Sequence, residues 1–294
     1  MKQPFIVALI PAYNEEKNIA TILLETEKYV DKIVVCDDGS TDRTAQIAER
    51  LGAEVIRHPT NKGYGAAIIS LLKRALDMGA DIAVTLDADG QHDPRFIPNL
   101  VKPILRNEAD IVIGSRFLEK SEIPKYRKIG IKAITKLTNL ATKLRITDSQ
   151  SGYRAYSKRA LQEIAPELSE HGMGISLQIL TLVSEKKLSV KEVPITIKYD
   201  VENPSTKNPI THGVELISTI IREITERHPL VYFGIPGATL LFIGLFMGAY
   251  LLWIFNTNRY FSIPIAIITL GALLMGLLLI ITALIIHVVI RQLK

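Results

Sequence analysis

Over its first two hundred residues the chain alternates between short apolar runs and segments with helical periodicity. "FIVALIPA" reads as a strand. "NEEKNIATILLETEKYV" follows, with Ile19, Ile22, Leu23, Thr26 and Val30 on one face, the repeat of an amphipathic helix. "DKIVVCDD" predicts a second strand, and "DRTAQIAERLG" a helix capped by Ser40 or Thr41 and ended by Gly52. "AEVIRH" predicts a third strand, "GYGAAIISLLKRALDMG" a helix, and "ADIAVTLDAD" a fourth strand. Continuous apolar strands separated by helices predict an α/β domain with a mostly parallel, Rossmann-like sheet covered on both faces.

The pattern changes at Pro229. Every Asp and Glu precedes it, and beyond it only Arg259, Arg291 and Lys294 are charged. The segments 230–255 and 263–290 are uncharged and rich in Leu, Ile, Gly and Ala. As helices they would span roughly 39–42 Å at 1.5 Å per residue. That exceeds a hydrocarbon core of about 30 Å, so both are read as transmembrane helices. The short "NTNRYFS" between them makes a hairpin, with Tyr232, Trp253, Tyr260 and Phe261 near the boundaries. Arg222, Arg227 and His228 before the hairpin, with Arg291 and Lys294 after it, place the preceding domain and both termini in the cytoplasm, against the single charge of Arg259. The organisation expected is a cytoplasmic catalytic domain over 1–210, an amphipathic juxtamembrane helix over 211–229 and a membrane hairpin over 230–294. "GALLMG" offers small residues for close helix contact, and with it homo-oligomers.

The net charge of +5 is too small to imply a nucleic-acid partner and fits an anionic substrate or a membrane surface. Cys36, the lone cysteine, excludes an internal disulfide and reads as a buried strand residue.

Polar clusters fall where the strands stop: "PAYNEE", "DDGSTD", "NKGYG" and "DADGQHD". Ligands of open α/β sheets sit at the carboxyl ends of the strands, so four such ends predict one shared crevice. Along extended chain Asp87, Asp89 and Gln91 point one way while Ala88 and Gly90 point the other. Two carboxylates and an amide oxygen are hard ligands suited to Mg²⁺ or Mn²⁺, with phosphate oxygens and water completing the shell. His92 is read as an outer-sphere neighbour, with direct ligation as the alternative. The first turn lacks G-x-G-x-x-G, which argues against a dinucleotide dehydrogenase.

"IPAYNEE", "VVCDDGSTD", "NKGYGAA", "LDADGQHDP", "IVIGSRF" and "DSQSGYRAYS", in this order, resemble the family 2 glycosyltransferases of GT-A fold. More narrowly, they resemble the dolichyl- or polyprenyl-phosphate sugar synthases, some of which carry two C-terminal spans. The resemblance covers Ile6 to about Ile195. It implies that Pro11, Tyr13 and Glu15, with Val35 and Asp37, contact the nucleotide of a nucleotide-sugar donor. It also implies that Asp87, Asp89 and Gln91 bind the metal and diphosphate, with Asp87 at the donor and Asp89 catalytic. Arg116 and Arg127 match arginines that handle phosphates at the reaction centre. Ser151, Gly152 and Arg154 match the acceptor-side loop. The activity implied is inverting transfer of one sugar to a polyprenyl or dolichyl phosphate.

Charge considerations agree. Expelling a nucleoside diphosphate builds negative charge that a divalent ion and arginine forks can neutralise. A phosphate acceptor is already anionic and needs no dedicated base, whereas a hydroxyl acceptor would require one, with a carboxylate near Asp148 the place to look. "KYRKIGIKAITKLTNLATKLRI" is basic and amphipathic, with Ile129, Ile134, Leu137, Leu140 and Leu144 among its cations, and suits either an anionic membrane surface or packing on the sheet. "DVENPSTKNPITHG", with Lys207 in it and Lys198 just before, departs from the mannose synthase pattern and resembles archaeal-type polyprenyl-phosphate sugar transferases, a resemblance that implies a UDP-sugar donor rather than GDP-mannose.

Overall fold

The computed structural model describes residues 3–119, 123, 125–169, 172, 174–197 and 233–292. The chain divides into two compact units, Met1–Ile217 and Ser218–Lys294. The juxtamembrane helix expected over 211–229, the loop from Asp200 to Gly213 with Lys207, and Lys198 all lie outside the described residues.

Among the described residues the first unit is built on seven strands: β1 (Ile6–Ala12), β2 (Lys32–Asp37), β3 (Glu54–Arg57), β4 (Ile82–Thr85), β5 (Ile111–Ser115), β6 (Arg154–Ser157) and β7 (Val190–Pro194). They form one sheet in the order β3-β2-β1-β4-β6-β5-β7. Every pairing is parallel except those of β6, which runs antiparallel to β4 and β5. Helices α1 (Ile19–Thr26), α2 (Thr44–Arg50), α3 (Tyr64–Asp77), α4 (Ile97–Leu105), α5 (Lys125–Thr142), α6 (Lys158–Ile164) and α7 (Ile175–Glu185) connect the strands. Two apolar cores result. In one, Val7, Leu9, Val34 and Cys36 pack with Leu71 and Leu72 of α3. In the other, Ala8, Ile10, Val35 and Val84 pack with Ile22 of α1 and Leu100 of α4. Consecutive residues of β1 and β2 thus feed opposite cores, as the period of two requires, and both faces are dry.

Three local expectations change. Helix α1 occupies only Ile19–Thr26 of the longer periodic stretch. Ser40 and Thr41 do not cap α2, whose N-cap position is Arg43 without a side-chain bond. Ser40 Oγ instead accepts the Asn14 N–H at 2.9 Å, and the Thr41 N–H donates to Asn14 Oδ1 at 2.9 Å. Asn14 takes φ 56°, a left-handed conformation that Asn tolerates, and the long-range bonds outweigh the local cap. Third, β4 ends at Thr85, and the chain turns at Gly90 with φ 78°. Strict alternation therefore holds only as far as Asp89, with Ala88 buried and Asp87 and Asp89 half-buried.

The second unit contains α8 (Ile235–Asn258) and α9 (Ile263–Gln292). Each holds a 24-residue stretch long and apolar enough to cross a membrane, with mean hydropathy 2.1 and 2.7. Both expose apolar side chains over most of their circumference, Phe242 at 73% and Ile267 at 66% among them, as helices surrounded by lipid do. They pack closely where Gly237 meets Gly276: a Cβ on Gly237 would lie 2.9 Å from the Gly276 carbonyl oxygen. Small residues there let the backbones approach, which is how helices gain packing energy without a hydrophobic drive.

Candidate active site

The carboxyl ends of β1, β2 and β4 are adjacent in the sheet, so their polar extensions meet. Asp42 joins the first two: Glu16 N–H donates to its Oδ2 at 3.1 Å, and Thr44 N–H and Oγ1 donate to its Oδ1 at 2.9 and 2.5 Å. Glu15 N–H donates to Thr44 Oγ1 at 2.7 Å. Burial pushes the Glu15 carboxyl above its ordinary range, and the charges of Asp89, Asp42 and Asp87 add to the effect. The acids of three strand ends therefore share one electrostatic field, as one crevice requires.

On β2's extension the two aspartates divide the work. Asp37 is buried and its Oδ1 accepts the Ser40 N–H at 3.1 Å. Asp38, which the motif reading passed over, binds the next loop. Its Oδ1 accepts from Lys62 N–H at 3.0 Å, its Oδ2 from Gly63 N–H at 2.8 Å, and His58 Nδ1 lies 2.6 Å from Oδ1. Pro11 is buried, Tyr13 stands 46% exposed, and Val35 is fully enclosed in the core. Tyr13 thus offers an open ring at the strand end, while the Val35 side chain serves packing.

Asp87 and Asp89 lie just past β4. Burial pushes the Asp87 carboxyl up to about 6, against the Tyr64 hydroxyl and the Arg116 charge, which both pull it down. Burial also raises Asp89, and the Asp87 charge raises it further. Asp89 Oδ1 accepts the Gln91 N–H at 2.9 Å, closing the turn that brings Gln91 beside it. Half-buried, mutually repelling carboxylates are what a cation relieves, so these residues fit a divalent ion. Among the described residues no three His, Cys, Asp or Glu side chains gather to hold a metal on their own.

His92 buttresses this turn. Its Nδ1 accepts the Asp87 N–H at 3.0 Å, its ring stacks on Tyr153 at 4.9 Å, and burial holds its pKa down to about 4. A neutral ring whose Nδ1 is taken by a backbone N–H fits the outer-sphere reading.

The loop 151–154, expected on the acceptor side, lands on the same place. A Cβ on Gly152 would lie 2.7 Å from Tyr64 Oη and 3.3 Å from Asp87 Oδ1, so only glycine lets the loop approach. Ser151 is buried, with Oγ accepting the Tyr153 N–H at 3.3 Å. Arg154 is 2% exposed and points inward, its Nε and Nη2 donating to the carbonyls of Ser151 and Ser149 at 2.9 and 2.8 Å. It shapes the loop from inside.

Arg116 follows β5 and is held by Asp148 through two parallel bonds, Nε to Oδ2 at 2.6 Å and Nη2 to Oδ1 at 2.7 Å. Glu192 of β7 in turn anchors Asp148 by accepting its N–H at 3.0 Å, together with the Thr147 N–H at 2.8 Å. Glu192 carries no sequence signal for this; with Lys191 it is one of two charged residues in the edge strand β7. Arg127 lies in the first turn of α5, and its side chain is outside the described residues.

A mostly parallel α/β sheet whose strand-end acids surround an Asp-x-Asp-x-Gln turn is the frame of a nucleotide-sugar transferase. Residues 7–165 match the family model "Glycosyl transferase family 2". The chain belongs to that family and is a glycosyltransferase. It is 38% identical over 221 residues to a UDP-N-acetylglucosamine–dolichyl-phosphate N-acetylglucosaminyltransferase of Methanococcus voltae, covering 68% of this chain and 88% of that one. It is 32% identical over 265 residues to a dolichol-phosphate mannosyltransferase of Pyrococcus furiosus, covering 85% and 72%. Glucosyl-3-phosphoglycerate synthase of Mycobacterium tuberculosis, solved with Mn²⁺ and UDP-glucose, superposes with a TM-score of 0.59 at 25% identity, covering 75% of this chain and 79% of that one. The fold is GT-A-like.

Proposed function

We propose that the protein transfers a single sugar from a nucleotide-sugar, a UDP-sugar by preference, to a membrane-borne polyprenyl or dolichyl phosphate, with inversion at the anomeric carbon. The observation that carries this reading is the state of Asp148: it is fully buried and both of its carboxylate oxygens are engaged by Arg116. The reaction centre carries a cation where a hydroxyl acceptor would need a carboxylate. An acceptor that is already an anion suits such a site.

In this reading Tyr13, Glu15 and Asp37 receive the nucleotide. Asp87, Asp89 and Gln91 would hold Mn²⁺ or Mg²⁺, which would neutralise charge on the donor diphosphate. Gly152 lets the acceptor loop close on Asp87. An acceptor phosphate oxygen attacks the anomeric carbon, the bond from that carbon to the diphosphate oxygen breaks, and the nucleoside diphosphate departs with the electron pair. No proton has to move. Arg116, joined by Arg127, offers guanidinium N–H groups to the phosphates. The relatives acting on dolichyl phosphate and the two apolar helices support a membrane acceptor. Basic residues flanking the hairpin support a catalytic unit and both termini on the cytoplasmic side.

The test is a donor-by-acceptor assay of purified protein in lipid. Radiolabelled UDP-glucose, UDP-N-acetylglucosamine and GDP-mannose are each offered with a polyprenyl phosphate, with and without Mn²⁺ or Mg²⁺. A metal-dependent lipid product carrying one sugar from a UDP donor is expected. Product from GDP-mannose alone would overturn the donor assignment, and transfer only to a saccharide hydroxyl would overturn the acceptor.

A further inference from the structure

From Ile123 to Thr147 the chain contains no Asp or Glu, yet it carries Lys128, Lys132, Lys136 and Lys143 among other cations. Helix α5 sorts this segment into two sides. Ile134, Thr135, Thr138 and Thr142 are buried against the domain. Ile129 and Leu140 are 71% and 65% exposed, although they belong to the same apolar series. Eleven residues are about three helical turns, so Ile129 and Leu140 stand on one stripe. Lys132, Ala133 and Lys136 stand on it with them, all exposed. Lys132 Nζ lies 5.9 Å from the Phe117 ring centroid, and the adjoining Leu118 is 45% exposed. Two large aliphatic side chains flanked by lysines, with no acid on the helix, make a poor solvent face and a good match for an anionic bilayer surface.

The opposite side of the helix is bonded to the catalytic segment. Asn139 Nδ2 donates to the Ile146 carbonyl at 2.8 Å and its Oδ1 accepts the Ile146 N–H at 3.2 Å. Thr135 Oγ1 accepts the Ser149 N–H at 3.2 Å. The stretch 146–152 so fixed contains Asp148, which holds Arg116, and Gly152, which rests on Asp87.

We propose that the Ile129–Leu140 face of α5 docks on anionic lipid, and that α5 thereby couples the bilayer surface to the acceptor side of the reaction centre. The lysines meet headgroup phosphates, while Ile129 and Leu140 enter the headgroup–acyl boundary. The proposal deepens the function above and rests on the membrane reading of α8 and α9.

The test uses the full chain in nanodiscs. Single cysteines at Ile129→Cys, Leu140→Cys and, as an exposed control, Lys73→Cys carry an environment-sensitive fluorophore; buried Cys36 in the parent protein provides the labelling blank. With doxyl-labelled lipid in discs containing phosphatidylglycerol, quenching at 129 and 140 is expected to exceed that at 73 severalfold. It should fall in discs of phosphatidylcholine alone, and Lys132→Glu with Lys136→Glu should remove roughly half of it or more. Quenching no greater than at position 73, or indifferent to lipid charge, would overturn the proposal. Label depth decides the matter even if the charge-reversed chain fails to fold. The readout needs neither donor nor acceptor: failed docking leaves the transfer assay standing, failed transfer leaves docking standing, and loss of the chain from the discs would refute the membrane reading itself.

Discussion

Arg116 and Asp148 face each other across the end of β5 in a two-bond fork, with Asp148 fully buried and the Arg116 side chain only 14% exposed. The pair fixes where a cation stands beside Asp87. Removing one partner strands the other, and breaking a buried pair typically costs about 3–5 kcal/mol. Asp148→Asn should therefore lower the unfolding midpoint and reduce kcat more than the KM for donor. Arg116→Lys should retain more stability than activity, because a point charge cannot reproduce the fork. Thermal denaturation and steady-state kinetics on the same preparations check both; an Asp148→Asn protein with unchanged kcat would refute Arg116 as a phosphate-facing group.

Gly152 admits a second test. A methyl group there meets Tyr64 Oη at 2.7 Å and the Asp87 carboxylate at 3.3 Å, so one partner must shift. Gly152→Ala should cost on the order of 1–3 kcal/mol in stability. Activity should drop at least about tenfold by displacement of the reacting groups. Tyr64→Phe in the same chain removes the closest atom and should restore part of the activity. A double variant as poor as the single one would place the damage elsewhere.

Metal dependence is expected to follow Asp89 and Asp87. Chelation with EDTA should abolish transfer, and Mn²⁺ or Mg²⁺ should restore it. Asp89→Ala should lose about a hundredfold or more, a loss that extra metal does not recover. Undiminished transfer by Asp89→Ala would refute the ligand assignment. Thermal shift with metal and nucleoside diphosphate provides a readout independent of turnover, since a ligand of the folded state raises its stability.

Cys36 should resist alkylation. Burial, with Asp38 and Asp37 nearby, pushes its thiol up to about 12. The shift disfavours the thiolate, and at pH 8 the charged fraction is on the order of one in ten thousand. Iodoacetamide labelling at pH 8 should therefore be negligible in the folded chain and fast in denaturant, and whatever labelling the folded chain shows should rise steeply as the pH is raised towards 10, because the thiolate fraction grows about tenfold per pH unit below the pKa. Mass spectrometry of labelled protein measures this directly; rapid labelling at pH 8 in native buffer would contradict the burial.

Much of this was legible one residue at a time. Periodicity marks β1, β2 and α3 because a two-faced sheet demands continuous apolar strands, and the acid-free tail marks α8 and α9 because lipid excludes charge. Asp87, Asp89 and Gln91 stood out as candidate hard ligands in one short turn. Pairings between distant parts of the chain were not. Nothing in the spacing of Arg116, Asp148 and Glu192 tells that 148 neutralises 116 while 192 holds 148 by its backbone. Only the insertion of antiparallel β6 between β4 and β5 sets the loop 151–154 on Asp87. Arg154 is the plainest case: in sequence a cation beside an acceptor motif, in the fold a strut buried at 2% exposure. Local sequence determines backbone preference and residue chemistry, because both act over a few neighbours. Which charge meets which, and which apolar side chain is left facing outward on α5, is decided by strand order and helix rotation, which exist only once the whole sheet has formed.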